Sequence, residues 1–225
     1  MKMGLHRNVG FLGVGGSAPD RIDDLWAYWS MDETSNDVAR ADATGNGHHL
    51  DLIGGTGVIG ATTAKVGAKA MGVQTTTIPV RYIKTTDTLA GNGIRTIGGW
   101  IKGSFTYATY STTFIYFGAS PFAKMDTGGP PDSSALWIAG LLSADEWNGS
   151  SWTHVAYTEA DGAVFINGAY VGDGGGGIAG VIQFTSTVAN ETPIFDEWGI
   201  WNQTLTQDDI NYLYNSGFGR AYPFV

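Results

Sequence analysis

The residues best suited to acid–base chemistry are two pairs of adjacent carboxylates, Asp145–Glu146 and Asp196–Glu197. Hydrolysis of a glycosidic bond needs two carboxyl groups that flank the bond, so both must project into one cleft. Successive side chains of a strand point to opposite faces, and we therefore expect neither adjacent pair to act together. The sequence also has no Gly-x-Ser-x-Gly or His-Glu-x-x-His motif and only four histidines. These observations predict a protein that is not an enzyme.

Aromatic residues in polar loops are a second group with a possible function, which is to bind a ligand. An aromatic ring stacks on the apolar face of a sugar, while polar groups nearby bind the hydroxyls. Trp147 lies in Ala-Asp-Glu-Trp-Asn-Gly-Ser, and Tyr107 and Tyr110 lie in Phe-Thr-Tyr-Ala-Thr-Tyr. We predict that these three aromatics are exposed and bind a carbohydrate. Four tryptophans in strand-like patterns are instead predicted to be core residues: Trp29, Trp100, Trp152 and Trp201.

The segment 193–217 changes from a strand pattern to a helix pattern within a few positions. Large apolar side chains occur on both faces of its extended part, which predicts a strand inside a sheet that is covered on both sides. Thr206 with Asp209 forms a short-armed capping box, so a helix is predicted to begin there and to end at Gly217. The helix has one apolar stripe, which is expected to cover an end of the core. The stripe is formed by Ile210, Leu213 and Tyr214.

Short strand patterns alternate with turns along the rest of the chain. The 225 residues include 34 glycines and no cysteine, which is typical of a single β-rich domain without disulfides. Residues 120–132 are predicted to be a long loop that exposes Phe122 and Met125. The other predicted strands are residues 25–31, 69–73, 79–83, 94–102, 112–118, 134–142, 152–158, 163–166, 169–171 and 178–184.

Residues 196–217, from Asp-Glu-Trp-Gly-Ile-Trp to Leu-Tyr-Asn-Ser-Gly, resemble the closing motif of the laminin-G-like, concanavalin A-like jelly-roll domains. Three earlier segments support this resemblance in the expected order: residues 26–33, 98–102 and 152–168. The resemblance implies an all-β fold, a two-sheet antiparallel β-sandwich or jelly roll with one short C-terminal helix. We assign residues 23–225 to this domain and residues 1–22 to a Gly-rich N-terminal arm.

The same resemblance implies a structural Ca²⁺ where the turn after the first strand meets the closing strand. On this sequence the ligands would be Asp42 and Asp196, together with Asn46 and Asp32. Oxygen atoms of this kind are the ligands that Ca²⁺ prefers. A second interpretation stays open, in which Asp196 and Glu197 cap backbone groups or form surface pairs without a metal.

The net charge of −9 is unevenly distributed. Residues 1–102 contain 10 Lys and Arg against 9 Asp and Glu, whereas residues 103–225 contain 2 against 12. An acidic surface of this kind excludes nucleic acid as a partner, because phosphate binding needs clustered basic residues. It is either a solvated surface or, where carboxylates converge, a cation-binding one. Without a run of 18 apolar residues or an export-signal pattern, no membrane insertion is expected.

The arm has two interpretations. It is either a frayed terminus or a segment that becomes ordered against a partner. In the second case the apolar contacts would be Leu5, Val9, Phe11 and Leu12.

Free-standing domains of this family without export signals or cysteines resemble proteins of tailed-bacteriophage particles. The resemblance therefore implies a virion component, assembled in the host cytoplasm, that serves as a capsid decoration or a tail-associated, lectin-like adhesin. Its arm would contact capsid or tail proteins, and its sandwich would bind a cell-surface glycan, with homo-oligomerisation as a further expectation. The alternative is an extracellular protein, a secreted or surface carbohydrate-binding module of a bacterium.

Overall fold

The computed structural model describes residues 21–74, 81–104, 112–126, 135–147, 149–188 and 191–224. Fifteen strands and one α-helix lie within these segments. The strands are β1 (Leu25–Trp29), β2 (Leu50–Ile53), β3 (Val58–Thr62), β4 (Ala70–Gln74), β5 (Tyr82–Thr85), β6 (Thr96–Ser104), β7 (Thr112–Phe117), β8 (Ser120–Asp126), β9 (Ala135–Ile138), β10 (Leu141–Glu146), β11 (Thr153–Thr158), β12 (Ala163–Ile166), β13 (Ala169–Asp173), β14 (Ile182–Phe184) and β15 (Thr192–Trp201). The helix α1 is Gln207–Tyr214.

The strands form two antiparallel sheets. The first sheet has the order β13-β12-β11-β6-β15-β4-β3, and β1 also pairs with β15. The second sheet has the order β10-β9-β8-β7-β14-β5-β2. This architecture confirms the predicted all-β sandwich with one short C-terminal helix. Within the described residues, no helix is long and apolar enough to cross a membrane.

Strand β15 lies inside the first sheet, as its apolar pattern predicts. One of its edges pairs with β6 along the whole strand, and the other edge pairs first with β4 and then with β1. Buried residues of both sheets form the main core between them, including Trp29, Phe184 and Trp198. Burial of large aromatic side chains supplies most of the energy that holds two sheets together.

A second apolar cluster lies on the other face of the first sheet, beneath α1 and the C-terminal residues. Its members come from strands of that sheet, from α1 and from the tail, and include Tyr28, Trp201, Ile210, Leu213 and Phe224. The helix therefore covers the outer face of a sheet, and the prediction that it covers an end of the main core is wrong. The outer face is apolar because β1, β12 and β15 carry large side chains on both faces.

Helix α1 begins as predicted but ends earlier. The Thr206 side chain accepts the N–H of Asp209, and the Asp209 carboxylate accepts the N–H of Thr206, which completes the capping box. Asn215 then takes a left-handed conformation with φ 48°, a geometry that ends helices. The predicted end at Gly217 is thus wrong, because Asn215 tolerates this conformation and stops the helix first.

The predicted long loop at residues 120–132 is wrong in its first half. Residues 120–126 form strand β8, which pairs with β7 and β9. The Phe122 side chain is buried and packs against Phe117, with ring centroids 4.5 Å apart. Strand β8 forms despite the turn-like composition around it, because it pairs with a strand on each edge. Such pairing depends on strands distant in the sequence, so a local pattern does not reveal it.

Close packing at Gly99 provides a test of the core. A methyl group there would lie 2.5 Å from ring atoms of Trp198, which is fully buried. We expect Gly99→Ala to lower the free energy of unfolding by about 1–3 kcal/mol, because overpacking forces neighbouring side chains to move. Chemical denaturation measures this change. Gly54→Ala is the matched control, since no atom lies within 4 Å of the added methyl group; equal stability of both variants would contradict the packing.

Candidate functional site

A β-bulge in β15 places Asp196 and Glu197 on the same face of the first sheet. Asp196 pairs with Trp100 and Gly199 pairs with Gly98, so β15 has one extra residue between these pairs. Glu197 occupies the bulge with φ 51°. The residues on either side of the carboxylate pair point into the main core. The prediction that alternation sends the two carboxylates to opposite faces is therefore wrong, because a bulge interrupts alternation.

Asp196 and Asp32 hold the loop that connects β3 to β4. One Asp196 oxygen accepts the backbone N–H groups of Lys65 and Val66, at 2.7 and 2.9 Å. One Asp32 oxygen accepts the N–H groups of Ala68 and Lys69, both at 2.7 Å. Asp196 thus caps backbone groups, as the second interpretation of the sequence predicted.

Burial favours the neutral form of both carboxyl groups at the bulge. Asp196 is fully buried and Glu197 is 5% exposed. Burial raises the pKa of Asp196 to about 7 and that of Glu197 to about 8, and the nearby charge of Asp32 acts in the same direction. The Tyr28 hydroxyl donates to one Glu197 oxygen. The second oxygen of each carboxyl group has no hydrogen-bond partner among the described residues.

The cavity beside Glu197 is too small for a substrate. Tyr28, Trp100, His154 and Arg220 are among its lining residues, and the space open to the centre of a water molecule is about 10 Å³. This volume is room for about one water molecule. Burial lowers the pKa of His154 to about 4, which keeps the imidazole neutral. The site therefore lacks access for a ligand, although it contains groups that could exchange protons.

The predicted calcium ligands have mostly structural partners. Both Asp42 oxygens accept hydrogen bonds, from the N–H groups of Tyr28, Thr44 and His48 and from the Thr44 hydroxyl. The Asn46 amide donates to two backbone carbonyls of β1. In the part of the chain that the structure describes, no group of three or more His, Cys, Asp or Glu could hold a metal ion. Calcium binding stays a prediction.

An open cleft lies between α1 and the turn that joins β12 to β13. Its volume is about 550 Å³, which is within the range of small-molecule sites. The cleft combines three amide side chains with two tyrosines. Its lining consists of Asn167, Gly168, Ala169, Tyr170, Gln207, Asn211, Tyr214 and Ser216.

The turn at Asn167 and Gly168 positions one wall of the cleft. Both residues have positive φ, 50° and 79°, which is the type I′ geometry that an Asn-Gly pair favours. A methyl group on Gly168 would lie 2.7 Å from the ring of Tyr214. Glycine is therefore needed both for the turn and for the close approach of the helix. The Asn167 side-chain oxygen accepts the backbone N–H of His154 at 3.0 Å, which fixes the amide in place.

Helix α1 forms the opposite wall. The Gln207 amide donates to the Gly168 carbonyl and to the Asn211 side-chain oxygen, at 2.5 and 3.0 Å. Tyr214 stacks on Trp100 with ring centroids 5.8 Å apart. The capping box at the start of the helix and these contacts hold the wall in one position against the sheet.

Tyr170 supplies an exposed aromatic ring at the edge of the cleft. The residue is 52% exposed. Its hydroxyl donates to the Asp173 carboxylate at 2.7 Å, and its ring meets Phe165 edge to face at 6.0 Å. These contacts hold the ring in place and leave much of its surface open to solvent.

The residues that we predicted to bind a carbohydrate do not line this cleft. Trp147 is 9% exposed and belongs to the main core, where its ring packs against Phe114. Its indole N–H donates to the Thr153 hydroxyl at 2.9 Å. The prediction of an exposed loop aromatic is wrong at Trp147, because this ring satisfies its polar group inside the core. Tyr107 and Tyr110 lie outside the described residues, as do the predicted partner contacts Leu5, Val9, Phe11 and Leu12.

The sequence predicts the turn and the helix separately, but it does not predict the cleft between them. Tyr170 alternates with apolar residues in a predicted strand, and Tyr214 belongs to the apolar stripe of the helix. Neither pattern predicts exposure. The available signal is the pair of amide residues Gln207 and Asn211 beside that stripe. Because they are four positions apart, their side chains lie on the same face of the helix.

The sequence matches no established family profile and no curated protein. Several solved structures share its fold. The binding domain of Paraclostridial Mosquitocidal Protein 1 has a TM-score of 0.61 and 15% identity, over 87% of this chain and 53% of that one. The binding domain of Botulinum Neurotoxin DC in complex with SialylT has a TM-score of 0.59 and 14% identity, over 87% and 51%.

A third structure, the botulinum neurotoxin serotype D binding domain, has a TM-score of 0.58 and 14% identity, over 88% of this chain and 53% of that chain. The chain thus spans about half the length of the binding domains that it matches. At these identities the similarity is one of fold.

The buried carboxyl of Asp196 should make stability depend on pH. Its folded-state pKa of about 7 exceeds the unfolded value of roughly 3.9, so the folded protein binds more protons between these values. Its contribution to the free energy of unfolding is therefore greatest below pH 4 and is lost as the pH rises towards 7. We expect Asp196→Asn to raise the free energy of unfolding at pH 8 by on the order of 3 kcal/mol, with little change near pH 4.

Urea denaturation at several pH values measures this difference. His154 contributes with the opposite sign between its folded pKa of about 4 and the unfolded value of roughly 6.5, but equally in both proteins. Burial raises the pKa of Glu197 to about 8, and the Asp196 charge adds to this rise, so the comparison reports on the two neighbouring carboxyl groups together. Asp161→Asn, in an exposed turn, is the control. A bound Ca²⁺ would keep Asp196 ionised. In that case Asp196→Asn would destabilise the protein at pH 8 and a chelator would lower the Tm, which would contradict the raised pKa of Asp196.

Proposed function

We propose that the protein is a non-catalytic carbohydrate-binding protein whose ligand lies in the cleft between α1 and the β12–β13 turn. The observation that carries this proposal is the exposed ring of Tyr170 beside fixed amide groups in an open cleft of about 550 Å³. The ring offers an apolar surface for a sugar ring, and the amides offer donors and acceptors for hydroxyls.

The chemistry of the cleft supports binding without catalysis. Its lining side chains include no carboxylate, imidazole or thiol. The Ser216 hydroxyl also lines the cleft, but the lining contains no base that could activate it as a nucleophile. The adjacent carboxyl groups of Asp196 and Glu197 share a face but are buried beneath the β3–β4 loop and the C-terminal residues. The similarity in fold to binding domains of toxins, one of them in complex with SialylT, supports a binding role by analogy.

We further propose the finer role that the laminin-G-like resemblance implies, that of a bacteriophage virion component with the arm attached to capsid or tail proteins. In this proposal the jelly roll faces outward, as a capsid decoration or adhesin, and the protein forms a homo-oligomer. Structural Ca²⁺ belongs to the same proposal. The alternative is an extracellular carbohydrate-binding module of a bacterium. Such a module would bind its ligand in the same cleft without being attached to a phage particle.

Substitution of Tyr170 tests the carbohydrate site. A glycan array identifies the ligand, and titration calorimetry then compares variants. We expect Tyr170→Ala to weaken binding about tenfold, because the stacking surface is lost. Val171→Ala is the matched control, since Val171 is the next residue on β13, is 43% exposed and does not line the cleft. Equal loss in both variants, or no glycan signal for the wild type, would overturn the proposal.

Deletion of residues 1–20 tests the virion proposal. The deletion removes no described strand, since β1 begins at Leu25, so the domain is expected to keep its Tm. Attachment to purified phage particles, followed by gradient centrifugation and immunodetection, should be abolished. If the shortened protein sediments with particles as the full chain does, the arm is not the attachment segment.

A further inference from the structure

We infer that the cleft selects uncharged saccharides and rejects acidic ones, such as sialylated or uronic-acid glycans. The inference rests on the proposed carbohydrate-binding function and specifies its ligand class. It follows from the charge of the cleft and its surroundings and from the hydrogen-bonding groups that the cleft leaves free.

No charged side chain is among the residues that line the cleft. Recognition of a carboxylate or sulfate generally depends on a guanidinium or ammonium group, because charge-assisted hydrogen bonds offset the loss of hydration of the anion. Amides and tyrosines provide no such charge. An acidic sugar would therefore lose hydration on entry without gaining an ion pair.

The charged side chain that contacts the exposed ring of the cleft is negative. The Asp173 carboxylate accepts the Tyr170 hydroxyl at 2.7 Å, which places an anion at the edge of the stacking ring. Asp208 follows Gln207 in the first turn of the helix and is exposed. The negative charge of a ligand stacked on Tyr170 would lie a few ångströms from the Asp173 carboxylate. At such a distance the repulsion between the two charges is enough to weaken binding about tenfold in a partly solvated site.

Basic residues of this half of the chain are engaged elsewhere. Residues 103–225 contain only Lys124 and Arg220 as cations. The Lys124 ammonium lies over the Trp137 ring at 5.2 Å, on the second sheet. Arg220 lies over the Tyr212 ring at 3.9 Å and donates to the Tyr212 carbonyl. In the other half of the chain, the Lys65 ammonium lies over the Trp100 ring at 4.8 Å, and this ring stacks on Tyr214. None of these three cations lines the cleft.

The polar groups that remain available suit hydroxyls. The side-chain oxygens of Asn167 and Asn211 already accept hydrogen bonds, so their amide N–H groups are the parts that can reach a ligand. The Tyr170 oxygen donates its hydrogen to Asp173 and keeps its lone pairs as acceptors. A sugar hydroxyl can accept from an amide and donate to the tyrosine oxygen, whereas a carboxylate can only accept.

The test compares matched neutral and acidic glycans on the full chain. The probes are N-acetyllactosamine and its sialylated form, and gluco-oligosaccharides and galacturonate oligosaccharides of equal length. We expect binding to neutral probes that is lost in Tyr170→Ala and unchanged from about 0.05 M to about 0.5 M NaCl. Binding to the acidic probes is expected to be at least about tenfold weaker.

A charge-gain variant sharpens the comparison. Ala169 lines the cleft and is exposed, so Ala169→Lys adds a cation without removing a polar contact. We expect this variant to gain salt-sensitive binding of acidic probes, while Ala169→Gln, of similar length but neutral, does not. Acidic glycans bound by the wild type through Tyr170 would overturn the inference and leave the proposed function intact. Absence of glycan binding, or binding that Tyr170→Ala leaves unchanged, would overturn both.

Discussion

The burial of strand β15 on both faces is the constraint on which the rest of the structure depends. The strand pairs with β6 on one edge and with β4 and β1 on the other, and apolar clusters cover both of its faces. Two adjacent carboxyl groups in such a strand are costly to bury. The bulge at Glu197 turns both groups away from the main core, and Trp198 closes that core with its indole N–H donating to the Trp100 carbonyl.

The outer face of the first sheet carries both the buried carboxyl groups and the cleft in which we propose that the ligand lies. There the carboxyl groups are covered by the β3–β4 loop and the C-terminal residues, and α1 packs on an apolar cluster of its own. Packing of the helix against Tyr28 and Trp201 leaves its amide-bearing face turned toward the β12–β13 turn. The same short helix thus covers an apolar cluster of the sheet and lines the candidate ligand site.

Much of the fold could be predicted from sequence, and less of the site. The β-rich class, the central closing strand and the meander ending in the Asn167-Gly168 turn follow from alternation and turn preferences. The predicted exposure of Trp147 is wrong because its polar neighbours in the chain indicate a loop, whereas its burial depends on Phe114 and Thr153 of other strands. The cleft was missed because exposure of Tyr170 depends on the sheet having an edge there.

The sequence by itself determined the features that depend on neighbours in the chain. These are the capping box at Thr206, the turn at Asn167 and the all-β architecture, since backbone preferences and side-chain alternation act over a few residues. Only the tertiary structure decided that Glu197 joins Asp196 on one face and that Tyr170 lies beside Asn211. A bulge arises from a mismatch between two strands, and a cleft arises from elements about forty residues apart, so neither is encoded in any single local pattern.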